Sequence, residues 1–139
     1  MPRITDIFIV DTPEQSALAI QAAAAENELP RLIGSAFAKL VRHVEREALF
    51  PADSPFVRIV GGEPAVLRIT IGLAVSDGAR ARGDGEIEKI VIPAGKKTLC
   101  YYQGDNSLMI PVYEEMNLFA EEYGYELEKE VYEYYLNGA

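Results

Sequence analysis

The side chains able to do chemistry in this chain are few and unevenly placed. There is one cysteine, Cys100, and one histidine, His43, so the chain can form no internal disulfide and no zinc-type cluster of thiolates and imidazoles. Neither stands at the spacing of a Cys-His or Ser-His nucleophile set. Cys100 reads as a small buried hydrophobe. His43, beside the apolar stripe of its helix, reads as a surface or boundary residue and is thin support for a haem ligand. No metal and no other cofactor is expected. Gly83-Asp84-Gly85 reads as a turn, because neither GxGxxG nor GxxxxGK[ST] follows a strand. Carboxylates and phenols remain. Residues 105–139 hold nine acids (Asp105, Glu114, Glu115, Glu121, Glu122, Glu126, Glu128, Glu130 and Glu133) against the single base Lys129, and most such acids are simply solvated. Residues 131–136, rich in tyrosine and valine, read as a closing strand, on which Val131, Glu133 and Tyr135 point to one face, and Tyr132, Tyr134 and Leu136 to the other.

Positioning these groups requires a fold, and composition bounds it. A length of 139 residues, 49% hydrophobic and 25% charged, predicts one globular domain over 1–139 and excludes intrinsic disorder. A net charge of −9 repels phosphate backbones and anionic lipid, so direct nucleic-acid binding and membrane association are not expected. The first residues lack a basic stretch followed by an apolar one, and no run approaches a membrane span. A cytoplasmic protein is therefore expected.

Along the chain, residues 4–10 read as a short strand. Residues 16–25 stay ambiguous between strand and helix because alanine dominates. From Pro30 a helix is predicted, with Ile33, Phe37, Leu40, Val44 and Ala48 on one side and Lys39, Arg42, Glu45 and Arg46 on the other. Residues 50–55 break it. Residues 56–60 read as a strand closed by a Gly61-Gly62 turn, and 66–75 as a second strand with Leu67, Ile69, Ile71, Leu73 and Val75 on one face. The polar loop 76–85 is the predicted seam within the domain. Strands follow at 87–92 and 98–103, then a turn and helix cap at 104–107. A helix over 108–123 carries Met109, Tyr113, Met116 and Ala120 on one face, tolerates Pro111 in its first turn and ends at Gly124. Tyr101 and Tyr102 are neighbours on one strand and cannot both face a ligand. The two helices share a spacing at a constant offset of 76 residues, which predicts two similar halves, about 1–76 and 85–139. The expected class is α+β, with both helices on one face of a mainly antiparallel sheet.

An ordered set of residues then becomes recognisable: Leu29-Pro30, Ile33-Gly34, Ala36-Phe37, Ile71-Gly72, Ile92-Pro93-Ala94-Gly95, Gly104, Tyr113, Met116, Phe119, Gly124 and Glu133-Tyr134-Tyr135-Leu136. The chain resembles the gyrase-inhibitor-like (GyrI-like) small-molecule-binding family over nearly its whole length. The chain departs from the family pattern at Asn106, Arg68, Thr70 and Phe119, the last standing where the family often has Trp. The resemblance implies a duplicated strand-helix-strand-strand fold with a central pocket, and it places the family's pocket carboxylate at Glu133. It also implies a stand-alone form, without an added DNA-binding domain.

A carboxylate among aromatic rings suits a hydrophobic cation, each ring face adding about 0.5–2 kcal/mol of cation–π attraction. The expected ligand is therefore a hydrophobic, cationic aromatic small molecule, with Glu133, Tyr135, Tyr113, Tyr101, Tyr102 and Phe56 as candidate ligand-binding residues. A second reading uses Glu133 as a general acid in a hydrolase of cyclopropane-bearing or otherwise strained genotoxins. A third takes the acidic half as a protein-interaction surface of gyrase-inhibitor type. A homodimer or a protein partner is compatible with all three.

Overall fold

The structure is a computed structural model that describes residues 5–63, 66–103, 109–127 and 131–136. The predicted turn and cap at 104–107 lie outside these residues. The elements run β1 (Phe8–Thr12), β2 (Gln15–Ala24), α1 (Leu29–Arg46), β3 (Phe56–Glu63), β4 (Val66–Ala74), β5 (Ile87–Ile92), β6 (Gly95–Leu99), α2 (Met109–Glu122) and β7 (Val131–Tyr134). The class is α+β, and every strand pairing in both sheets is antiparallel.

The described residues gather into two compact units. One lies within Glu14–Pro93 and Lys129–Ala139. It is a five-stranded sheet in the order β5-β2-β4-β3-β7 with α1 packed on one face. The alanine-rich segment 16–25 resolves as the strand β2, between β4 and β5. Alanine suits a strand closed in on both sides: Ala17 and Ala19 are fully buried on one face, Leu18 and Ile20 on the other. Beneath α1, register aligns Ile87, Ile20, Ile71 and Val57 in a row across four strands. Ala36, Leu40 and Val44 of α1 cover them, with Ile33 and Phe37 at the margin. α1 stops at Arg46, two residues short of the predicted stripe; Ala48 instead adopts φ 54° and is exposed.

Three local expectations change. Gly61-Gly62 is not a turn: β3 continues through both to Glu63, with a register shift between Ile59 and Gly61, so the glycines absorb a β-bulge. The loop 76–85 is not a seam. Ala81 is buried in the core under α1, and the Arg80 guanidinium donates to the carbonyls of Glu47 and Ala48. His43 is not a boundary residue. It is 2% exposed, and its Nε2 lies 2.7 Å from the Arg82 carbonyl, with Arg46 Nη2 3.2 Å from Nδ1. The loop folds back on the helix through a contact 39 residues away in sequence, which helical periodicity cannot show.

The other unit lies within Met1–Pro13 and Ala94–Glu128. β1 pairs with β6 from Phe8↔Leu99 to Thr12↔Gly95, so β6 is shorter than the predicted 98–103 strand and starts earlier. Pro111 falls in the first turn of α2, where its missing N–H has no intrahelical partner. Gly124 at φ 77° ends the helix, with Tyr125 N–H donating to the Ala120 carbonyl at 2.8 Å, the 6→1 bond of a Schellman motif. Among the described side chains of α2, Val112 and Ala120 are buried and Tyr113 and Met116 are half-buried, while the Met109 side chain of the predicted face lies outside them.

On the sheet face away from α1, Phe56 lies fully buried across Gly72. A Cβ at position 72 would overlap Phe56 Cζ and meet Cε1 at 2.8 Å. Gly72→Ala is therefore expected to cost about 1–3 kcal/mol in urea unfolding, the scale of overpacking against a ring with nowhere to retreat. Gly72→Ala combined with Phe56→Leu should lose less than the two single losses together.

Candidate functional site

β7 is four residues long and pairs only with β3 among the described strands, Val57 opposite Glu133 and Phe56 opposite Tyr134. Because successive strand side chains alternate, this register decides which chemistry meets which face. Glu133 falls on the α1 face, at the end of the row that begins with Ile87 and passes through Val57. Tyr135 follows on the same side. Its N–H donates to the Pro55 carbonyl at 2.9 Å, and its hydroxyl donates to Glu133 Oε1 at 3.2 Å. The Phe37 ring of α1 meets Tyr135 edge-on, with centroids 5.8 Å apart and planes at 69°. A carboxylate, a phenol and a phenyl ring thus converge where an apolar row reaches the sheet edge, and all three residues are half-buried.

The phenol is held protonated. Burial raises the Tyr135 pKa well above the ordinary phenol range, and the Glu133 charge and the hydrogen bond to it push the same way. Tyr135 is therefore a fixed donor that orients the Glu133 carboxylate.

The opposite face carries different groups. Tyr132 and Tyr134 stack near-parallel at 6.4 Å, and each leans on Phe56 at 5.5 and 5.4 Å. Next to them runs a polar chain across four strands. Arg58 Nη2 donates to Thr70 Oγ1 at 3.2 Å, Thr70 donates to Gln21 Oε1 at 2.6 Å, and Gln21 Nε2 donates to Glu88 Oε1 at 2.9 Å. Thr70 is fully buried and satisfied by this chain. Arg58 also lies 6.0 Å over the Tyr132 ring. An open depression of about 430 Å³ lies along β2 and β4, lined by Gln21, Ala22, Ala23, Arg68 and Ile69.

The predicted site residues therefore distribute as follows. Glu133 and Tyr135 are brought together. Phe56 is on the other side of the sheet, in the core beneath Tyr132 and Tyr134. Tyr101, Tyr102 and Tyr113 belong to the β1-β6-α2 unit, where Tyr101 is exposed, its N–H donating to Thr5 Oγ1 at 2.9 Å, and Tyr102 and Tyr113 are half-buried. Cys100 Sγ lies 4.0 Å from Met116 Sδ. Two features escaped sequence reasoning. Phe37 was visible only as core, although its position before the last inward turns of α1 leaves its ring at the margin. The Arg58–Thr70–Gln21–Glu88 chain needs inter-strand register, which no local pattern supplies. The departures at Arg68 and Thr70 fall on the face opposite Glu133 and leave its surroundings intact. Among the described residues no group of three His, Cys, Asp or Glu side chains could hold a metal ion, and no helix is long and apolar enough to cross a membrane.

Over residues 5–139 the sequence matches the family described as GyrI-like small molecule binding domain. The chain belongs to that family. Its fold agrees. The crystal structure of the EcmrR C-terminal domain superposes with a TM-score of 0.72 at 18% identity, covering 97% of this chain and 86% of that one. EcmrR in a cryo-EM complex with DNA gives 0.71 at 19%, covering 96% of this chain and 50% of that one, so the GyrI-like chain spans about half of EcmrR. A structure of SAV2435 bound to tetraphenylphosphonium gives 0.58 at 10%, covering 97% of this chain and 86% of that one. At these identities the likeness establishes the fold. No curated protein matches the sequence.

The half-buried phenols of Tyr134 and Tyr135 predict a pH dependence. Burial, followed by the Asp53 and Tyr132 charges, pushes the Tyr134 pKa up from 10.0 to about 12, and Tyr135 moves in the same direction. Above the unfolded value the unfolded chain releases phenolic protons that the folded chain keeps, so stability falls as pH rises from about 10 to about 12. Urea midpoints at pH 9 and pH 11 should drop more steeply in the wild type than in Tyr134→Phe. Equal drops would refute the assignment.

Proposed function

We propose that this GyrI-like domain binds hydrophobic, cationic aromatic small molecules at Glu133, with Tyr135 and Phe37 as ring walls. The observation that carries the reading is the placement of a carboxylate, oriented by a protonated phenol, at the end of an apolar row beside two aromatic rings. Such a site suits a cation whose charge is spread over a greasy body. The body gains from leaving water, and the charge meets a counter-ion and ring faces rather than bare hydrocarbon. The net charge of −9 favours approach of cations over anions. Tetraphenylphosphonium, bound in the SAV2435 structure, is a cation of this type. Phe56 contributes indirectly: by filling the far side of the sheet it fixes β3, and so the strand that pairs with Glu133.

Isothermal titration with tetraphenylphosphonium and its anionic counterpart tetraphenylborate tests the proposal, since the two ions match in size and shape. The wild type is expected to bind the phosphonium more tightly. Glu133→Gln keeps shape and hydrogen-bonding reach, and should weaken the phosphonium by about 1–3 kcal/mol, the scale of a charge-assisted contact, while leaving the borate unchanged. Equal affinity for the two ions, or a phosphonium affinity indifferent to Glu133→Gln, would overturn the reading. Turnover of a cyclopropane-bearing compound, lost in the same variant, would move Glu133 from counter-ion to general acid.

A further inference from the structure

α1 has a second stripe, facing away from the sheet. Arg31, Gly34, Ala38, Val41 and Glu45 recur at intervals of three, four, three and four, and all five are exposed, Val41 at 43%. This is the spacing of a seam between two helices, yet the core of the unit lies on the opposite side of α1. The centre of the stripe is small and apolar, and a Cβ at Gly34 would meet nothing within 4 Å, so another backbone can come close. Its ends carry opposite charges, in the order that the helix's own dipole disfavours: Arg31 in the first turn and Glu45 in the last. The other α1 cations, Lys39 and Arg46, have intramolecular partners in Glu86 and Asp84. Among the described residues Arg31, Arg42 and Glu45 have no ion-pair partner.

We propose that the chain forms a two-fold homodimer through antiparallel pairing of this outer face of α1, centred on Ala38. In an antiparallel pair with Ala38 on the two-fold axis, each residue is level with the one equally far on the other side of 38, and residues on the same side of the Ala38 line meet. Arg31 then lies against the partner's Glu45, and Glu45 against the partner's Arg31. Val41 packs over the partner's Gly34, where there is room for it, and the Arg42 stem passes beside the partner's Ser35. One register satisfies both charged ends and both small-to-large contacts, as an isologous interface requires. Each helix N-terminus also lies beside the partner's helix C-terminus, so the unfavourable placement of Arg31 and Glu45 within one helix becomes favourable across two. A single helix pair buries less than the roughly 800 Å² per partner of a standard interface, so the dimer is a concentration-dependent one. The inference is independent of the ligand reading, because the stripe shares no residue with Glu133, Tyr135 or Phe37.

Sedimentation velocity of the full chain over a wide concentration range, at low and high salt, provides the test. A reversible monomer–dimer equilibrium weakened by salt is expected. Arg31→Glu alone and Glu45→Arg alone should each weaken the dimer by about tenfold or more, since symmetry brings two like-charge pairs together in each. An equimolar mixture of the two variants should regain it as a heterodimer, and the double variant R31E/E45R should regain it as a homodimer. Unchanged circular dichroism and thermal melting confirm that each variant is folded. A chain that stays monomeric at every concentration overturns the proposal. So does a dimer indifferent to the single charge reversals, which would place the contact on another face.

Discussion

The pairing of β7 with β3 is the constraint on which the candidate site depends. β7 contributes four residues at the sheet edge, and its side chains take their faces from one register, Val57 against Glu133. A slip by one residue would exchange the two faces completely: Tyr132 and Tyr134 would turn toward α1, and the carboxylate would turn toward the buried polar chain. What holds the register is unequal chemistry on the two sides. Phe56 between Tyr132 and Tyr134 provides an aromatic cluster that forms only one way round, and the Tyr135 contact with Phe37 secures the other side.

The two faces of the sheet are accordingly built on different principles. Under α1 the face is mainly aliphatic and closed by a helix, and Glu133 stands at its β7 edge. On the far face, polar groups lie within the sheet itself, and they are tolerated because each passes a hydrogen bond to the next from Arg58 to Glu88. Ala17, Ala74 and Gly72 complete this face, and a side chain at position 72 would displace Phe56. Small residues here specify packing as tightly as large ones do.

α1 joins these demands. Its inner stripe holds the sheet, Phe37 at the margin of that stripe reaches the Glu133 site, and its C-terminal turns hold the 76–85 loop through His43, Arg46 and Glu47. A histidine buried between a carbonyl acceptor and an arginine serves as a clamp, and the loop that looked like a boundary becomes part of the same core. The outer stripe adds a face on which oppositely charged ends flank a small, apolar centre.

Much of this was legible in the residues alone. The period of α1, the alternation of 66–75, the span of β5 and the glycine stop of α2 follow from local stereochemistry, which sequence carries directly. The shared face of Glu133 and Tyr135 also followed, because alternation along one strand needs no partner. Tertiary structure alone decided the rest. Alanine-rich β2 is a strand because it lies between two others, not because alanine prefers the strand, and Gly61-Gly62 reads as a turn until β4 supplies the partner that makes it a bulge. His43 becomes buried through a carbonyl 39 residues away. Phe56 goes to the opposite side of the sheet from Glu133 because β3 pairs Val57, not Phe56, with that glutamate. In each case the deciding quantity is a contact between segments distant in sequence, whose register depends on the packing of both and is written in neither one.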